Sequence, residues 1–568
     1  LTSTPDSGES APRWSPDGRY LAFLASRGSE EEKKKGAQVW LLNMSGGEAQ
    51  KLTDVKGGVS EYAWSPDGRR LVLGVSDPDP DAEPENKEGW KRKTKPPIVI
   101  DRYHFKQDGA GYLTALYRHL ATFEVESRKV EALTAGRHDE TTASWSPDGK
   151  WIAFLSDRTA DPDRGNNTDV YVVEARAGAE PRRLTAFPGP DGGRPAWSPD
   201  GQWIAYLQGD EPRFSAYNLN RLAVVPAAGG EPRIVSSSLD RAIVGSISWS
   251  ADGRSLTSVV QDDRITCLAT APVAGGEVRP LTSGRRTVSS VSKAGEDTFA
   301  LLAGTGTEPY EVHVFEKGAL RRLTHENDKL LGELSLSPTE DFTAKAKDGA
   351  VVNGVLVKPT VQVSGQKYPM LLLIHGGPNG QDEHSFSFDR QFFAANGYVV
   401  VSANYRGSAG RGSAYQKAIY ADWGHLEVVD LLAAVDHVVA GGIADPERLG
   451  IGGWSYGGIL TDYTIATDRR FKAAVSGASS ALQLTMYGTD QYTAQYDQEL
   501  GPPWKAQETW LKVSYPFFHA DRITTPTLFM CGLNDFNVPI AGVEQMYQAL
   551  KSAGVETELV IYPGQNHG

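Results

Sequence analysis

A chain of 568 residues allows roughly three to five domains and a core large enough to stand without disulfide staples. Its composition, 40% hydrophobic and 23% charged, is that of a globular protein, and its apolar runs are too short or too broken by charge to span a bilayer. A net charge of −13 repels phosphate backbones, which argues against nucleic acid as a partner.

The first half repeats a phrase. "RWSPDGRYLAFLA", "AWSPDGRRLVLGV", "SWSPDGKWIAFLS", "AWSPDGQWIAYLQ" and "SWSADGRSLTSVV" carry Trp14, Trp64, Trp145, Trp197 and Trp249. The spacing is about fifty residues, except for a longer interval after Trp64, and a period of that size with several short strands reads as propeller blades. Ser-Pro-Asp-Gly is a tight-turn tetrad, because Pro presets φ, Asp bonds back to the backbone and Gly accepts positive φ. The run after it alternates apolar and polar residues, as a half-buried strand does. The repeated Asp17, Asp67, Asp148, Asp200 and Asp252 are therefore read as turn residues, neither catalytic nor metal-binding.

A second phrase closes each unit: Leu52-Thr53, Leu133-Thr134, Leu184-Thr185, Leu281-Thr282 and Leu323-Thr324, with Ile234-Val235 as a weakened copy. "VSKAGEDTFALLA" is a degenerate sixth unit. Because the chain opens on Leu1-Thr2, this register places its start after a lost repeat and predicts seven blades, the first truncated. The charged, proline-rich stretch "SDPDPDAEPENKEGWKRKTKPP" and the run "SEEEKKKG" near residue 30 are expected as solvated loops.

From about residue 335 the repeat gives way to short apolar strands alternating with helical stretches. This pattern indicates a mainly parallel, doubly wound sheet, in which chemistry sits beyond the strand ends. The expected boundaries are a propeller over 1–328 and an α/β-hydrolase domain over 329–568. Past "RLGIG" comes Gly453-Trp454-Ser455-Tyr456-Gly457, the small-flanked elbow that lifts a serine hydroxyl clear of the backbone. Past "TLFMC" comes Asp535, and past "ELVIY" comes His567, so the order is serine, aspartate, histidine, as in α/β-hydrolases. Ser455 is the candidate nucleophile, His567 the base and Asp535 the group that orients it. Asp497 and Asp521 are weaker candidates because neither follows an apolar strand. The amides of Tyr456 and Gly377, with Gly376 close behind, are candidates for an oxyanion hole. His375 comes too early in the chain for the base, and Arg406 is expected to brace the site or to face substrate.

"HGGP", "NYRGSAGRG", "GGWSYGG", "GLNDFNVP" and "YPGQNHG", behind a "WSPDG" propeller, resemble the prolyl oligopeptidase family of serine peptidases over nearly the whole chain. HGGP and the insertion "KPPIVIDRYHFKQDGAGY" are similar to its acylaminoacyl-peptidase branch. The resemblance implies a seven-bladed propeller capping the site, short peptides as substrates, a Ser455–Asp535–His567 triad, and Tyr456 and Gly377 at the oxyanion hole. Two departures stand out: no paired-glutamate motif of the dipeptidyl-peptidase kind is present, and no helix follows His567-Gly568. The expected activity is release of N-acylated residues. The alternatives are an oligopeptidase or a carboxypeptidase-like enzyme holding a substrate carboxylate on Arg406, Arg469, Arg470 or Arg522. From other classes, a plain esterase and a non-catalytic scaffold stay open. No metal site or cofactor loop is legible, since His and Cys lack ligand spacing. Two cysteines and no signal peptide at the visible start point to the cytoplasm, with a lost signal peptide left open, and a homo-oligomer is possible.

Overall fold

The computed structural model describes residue 2, residues 7–78, residue 94 and residues 97–568. Most of the predicted charged insertion, and Leu1 of the opening phrase, lie outside the described residues. The N-terminal half forms six antiparallel sheets of four strands, the blades of a propeller. The second blade carries a small additional hairpin, Lys106–Gln107 with Gly111–Tyr112, between its second and third strands.

The tetrads turn the chain between the first two strands of five blades. In the first, Ser15 Oγ donates to Asp17 Oδ1 at 2.6 Å and accepts from Tyr20 N at 3.0 Å. Ser65, Ser146, Ser198 and Ser250 repeat both bonds. The serine hydroxyls hold all five aspartates below the usual carboxylate range. The tryptophan ahead of the turn stitches blades together: Trp145, Trp197 and Trp249 donate to the carbonyls of Ala63, Ser144 and Ala196 on the preceding blade.

The Leu-Thr phrase serves the third strand. Thr53 Oγ1 accepts from Val39 N at 2.9 Å, and Thr134, Thr185, Thr282 and Thr324 do the same for Leu120, Val170, Leu268 and Val312. The weakened copy is one residue further on than its spelling suggests. Val235 N bonds to Leu222 O and Ser236 Oγ accepts from Leu222 N at 2.9 Å, so the pair is Val235-Ser236, not Ile234-Val235. What the position requires is a hydroxyl, and serine supplies it. A second correction concerns Glu30–Lys33, which is one helical turn rather than a loop. Ser29 and Glu32 form a reciprocal capping box there, an arrangement that satisfies donors at a helix start.

The C-terminal half is an eight-stranded sheet. In spatial order its strands are Thr339–Lys345, Val351–Val357, Val399–Asn404, Tyr368–Ile374, Ala444–Trp454, Ala473–Gly477, Thr527–Gly532 and Thr557–Tyr562. The second is antiparallel to both the first and the third, and every later neighbouring pair is parallel. From Tyr368–Ile374 the chain winds outward to Val399–Asn404, then crosses back to Ala444–Trp454 on the other side. The crevice beyond Ile374 and Trp454 is thus the topological switch point, where such sheets place their ligands. Propeller and sheet meet closely: Tyr217, from the propeller turn Pro212–Tyr217, is fully buried in the core of the C-terminal half.

Thr185→Val keeps shape but leaves the buried amide of Val170 without its acceptor, which costs about 1–3 kcal/mol. Its denaturant midpoint is expected to fall, while Thr185→Ser, retaining the hydroxyl, stays near the parent.

Candidate active site

Ser455 sits between strand Ala444–Trp454 and helix Tyr456–Thr467 with φ 61° and ψ −127°, a conformation that costs on the order of 1–3 kcal/mol for a non-glycine residue. The neighbouring backbones are too close for side chains. A Cβ on Gly453 would lie 2.4 Å from the Gly457 carbonyl oxygen, and one on Gly457 would lie 2.1 Å from Ile374 O. Ser455 N donates to Gly477 O at 3.0 Å, tying the turn to the next strand.

Asp535 and His567, which follow the last two strands, come together. His567 Nδ1 is 2.8 Å from Asp535 Oδ2, and the Asp535 carboxylate is wholly buried. Its other oxygen accepts from Asn537 N at 2.9 Å and Val538 N at 2.7 Å, bonds that fix its orientation. Trp454, beside the serine, donates its indole N–H to His567 O at 2.9 Å. Among the described residues, no direct hydrogen bond joins Ser455 to His567. Hydrogen bonds of this kind commonly tighten only when substrate is bound. Asp497 bonds to Tyr103 and Tyr487 instead of to a histidine.

The other candidates fall into two groups. Tyr456 and Gly377 border the same cavity as Ser455, and among the described residues neither amide has an acceptor. His375 is engaged by the Gly376 carbonyl at 2.7 Å and Ser408 Oγ at 2.9 Å, and it stacks on Tyr405. Arg406 grips Asp430 through Nε and Nη2 and reaches Asp348 at 2.6 Å through Nη1. Arg469 and Arg522 bond to their surroundings, and Arg470 pairs with Asp468 and Asp436. None of these four arginines borders either cavity at the site.

The cavity beside Ser455 measures about 320 Å³ and has no charged side chain in its lining. Ile459, Met486, Val538 and Trp423 give it apolar walls. A second cavity of about 1040 Å³ lies between the propeller and the sheet, and Ser215, Tyr492 and Gln495 border both. Three tyrosines of the smaller cavity turn their hydroxyls outward to buried carboxylates. Tyr456 donates to Glu427 at 2.7 Å, Tyr217 to Glu499 at 2.6 Å, and Tyr496 to Asp490. Burial pushes Glu427 up to about 8 and Asp490 up to about 7, and it raises Glu499. These residues carried no sequence signal, since their partners come from distant segments. Burial also pushes the Cys531 thiol up to about 12, so it is no reactive thiolate. Among the described residues there is no group of three or more His, Cys, Asp or Glu suited to a metal, and no helix is long and apolar enough to cross a membrane.

Strand order, elbow and Asp–His pair together define an α/β-hydrolase-type domain, here set behind a propeller. Known proteins narrow that class. The model of the prolyl oligopeptidase family matches residues 384–568. The chain is 30% identical over 575 residues to the uncharacterized peptidase YuxL of Bacillus subtilis, covering 98% of this chain and 86% of that one. It is 26% identical over 602 residues to dipeptidyl-peptidase 5 of Porphyromonas gingivalis, covering 100% and 84%. The structure of Pyrococcus horikoshii acylaminoacyl peptidase superposes with a TM-score of 0.82 at 24% identity, covering 99% and 84%. The chain belongs to the prolyl oligopeptidase family of serine peptidases.

Glu427 sets a pH expectation. An acid whose folded value lies above its unfolded one binds its proton more tightly in the native state. Its contribution is therefore present at low pH and is lost as pH rises from the ordinary carboxylate range through about 8. Urea titrations of Glu427→Gln are expected to give a smaller loss of stability than the parent over that interval.

Proposed function

We propose that Ser455, Asp535 and His567 form the catalytic triad and that the enzyme releases N-acylated residues from short peptides. His567 takes the Ser455 proton as Oγ attacks the carbonyl carbon, and it delivers that proton to the departing amine. Asp535 holds the imidazole in the tautomer that leaves Nε2 free to accept, and it stabilises the imidazolium. The amides of Tyr456 and Gly377 bind the oxyanion of the tetrahedral intermediate. Water, activated by the same histidine, then attacks the acyl-enzyme, and Ser455 recovers its proton.

The observation that carries the choice of substrate is the uncharged cavity of about 320 Å³ beside Ser455. A blocked residue with an apolar side chain enters such a site without stranding a charge, whereas a free ammonium there finds no carboxylate in the lining. The fold shared with an acylaminoacyl peptidase agrees with this reading. A carboxypeptidase-like reading has less support, because the proposed arginines face elsewhere and Arg102, which borders the larger cavity, is paired bidentately with Asp163. The dipeptidyl-peptidase relatives keep removal of free dipeptides as the second reading. A seventh blade, implied by the family the sequence resembles, belongs to the same proposal. So does a cytoplasmic setting, which two free buried cysteines suit.

One peptide offered in acetylated, free-amine and C-terminally amidated forms tests the assignment. The acetylated form is expected to be cleaved fastest, with amidation indifferent; preference for the free amine would favour the dipeptidyl reading. Ser455→Ala is expected to lose about 10⁴-fold or more in kcat and all labelling by a fluorophosphonate.

A further inference from the structure

A carboxylate from the propeller joins the two loops that carry Asp535 and His567. Asp108 lies at the tip of the additional hairpin of the second blade. Its Oδ1 accepts from Phe536 N at 2.9 Å and its Oδ2 from His567 N at 3.2 Å. Phe536 follows Asp535 directly, so one side chain bonds the backbone on both sides of the Asp535–His567 pair. The hairpin itself is docked. Asp108 N donates to Gln491 Oε1 at 2.9 Å and Lys106 Nζ to Thr489 O at 3.1 Å. The Lys106 ammonium stands 5.0 Å from the centre of the Phe536 ring, which Tyr112 meets edge-on at 5.6 Å.

We propose that Asp108 is a positioning residue for the reaction, holding the Asp535 and His567 loops in mutual register from the propeller. This rests on the triad reading above. His567 is then restrained at three points: its ring by Asp535, its carbonyl by Trp454 and its amide by Asp108. The segment leading to it, Pro563–Asn566, has exposed side chains and is tied to the Asp535 loop by the bond from Asn534 N to Gln565 O at 2.9 Å, two residues short of His567. Without the third restraint the imidazole can drift, and proton transfer responds steeply to displacements of about 1 Å. A direct substrate contact is the competing role, but Asp108 borders neither cavity of the site.

The experiment compares Asp108→Asn and Asp108→Ala with the parent on an acetylated peptide and on a small activated ester. Asparagine keeps one acceptor oxygen and the parent's shape, which guards against misfolding as the explanation. The expected result is a fall in kcat on both substrates, about tenfold for Asn and about a hundredfold for Ala, with KM held within about twofold. Fluorophosphonate labelling slows in parallel, while the thermal midpoint of the Asn variant stays near the parent's. A rise in KM for the peptide alone, or unchanged kcat in Asp108→Ala, overturns the proposal. Ser455→Ala separates the two levels: if that variant keeps its activity the triad reading itself falls, whereas a dead Ser455→Ala beside an active Asp108→Ala removes only this inference.

Discussion

The elbow at Ser455 is the constraint from which the rest of the site follows. A serine with φ 61° is held there only because strand, turn and helix close on one another at distances that exclude side chains. Gly453 faces the carbonyl of Gly457, and Gly457 faces that of Ile374, so the glycines answer to packing as much as to local flexibility. The same closeness brings the end of Tyr368–Ile374, with Gly376 and Gly377, against the serine. Ser455 and the glycines across from it are thus set by a single backbone arrangement. The strain is local and is borne by a sheet whose core face is closely packed.

The Asp535–His567 pair is built differently. Asp535 and His567 stand on loops after the last two strands, outside the packed elbow, and they depend on bonds from several segments. Asn537 and Val538 amides orient the carboxylate, Trp454 holds the histidine carbonyl, and Asp108 reaches both loops from the propeller. Rigid packing therefore positions Ser455, while a polar network positions Asp535 and His567. The propeller is a structural part of that network, besides enclosing the larger cavity.

What could be read from the sequence divides along the same line. The WSPDG turns, the Leu-Thr phrases and the elbow were legible because each is local, one short segment satisfying its own backbone. Its place just past an apolar strand was enough to pick Asp535 over Asp497 and Asp521 as the partner of His567. Val235-Ser236 was misplaced by one residue because spelling was matched where a hydroxyl was the requirement. Glu30–Lys33 was read by its charge and proved helical by its cap. Asp108, Tyr217 and Glu499 gave no sign, since their bonds span hundreds of residues and arise only when propeller and sheet come together. Distance along the chain, more than chemistry, decided what stayed hidden.

The wall of the smaller cavity reconciles two facts that seem opposed. The surroundings of Ser455 contain several carboxylates, yet the cavity beside it has no charged side chain. Tyr456, Tyr217 and Tyr496 lie between, each presenting carbon to the cavity and its hydroxyl to a carboxylate behind. Each hydroxyl satisfies a polar group that would be costly to bury alone. Burial raises all three carboxylates, Glu427 to about 8 and Asp490 to about 7, so protonation removes much of the charge of these two near neutrality. The acids work as anchors for the tyrosines, with Tyr217 contributed by the propeller. The propeller, which reaches the Asp535 and His567 loops through Asp108, also contributes Tyr217 to the wall of the cavity beside Ser455.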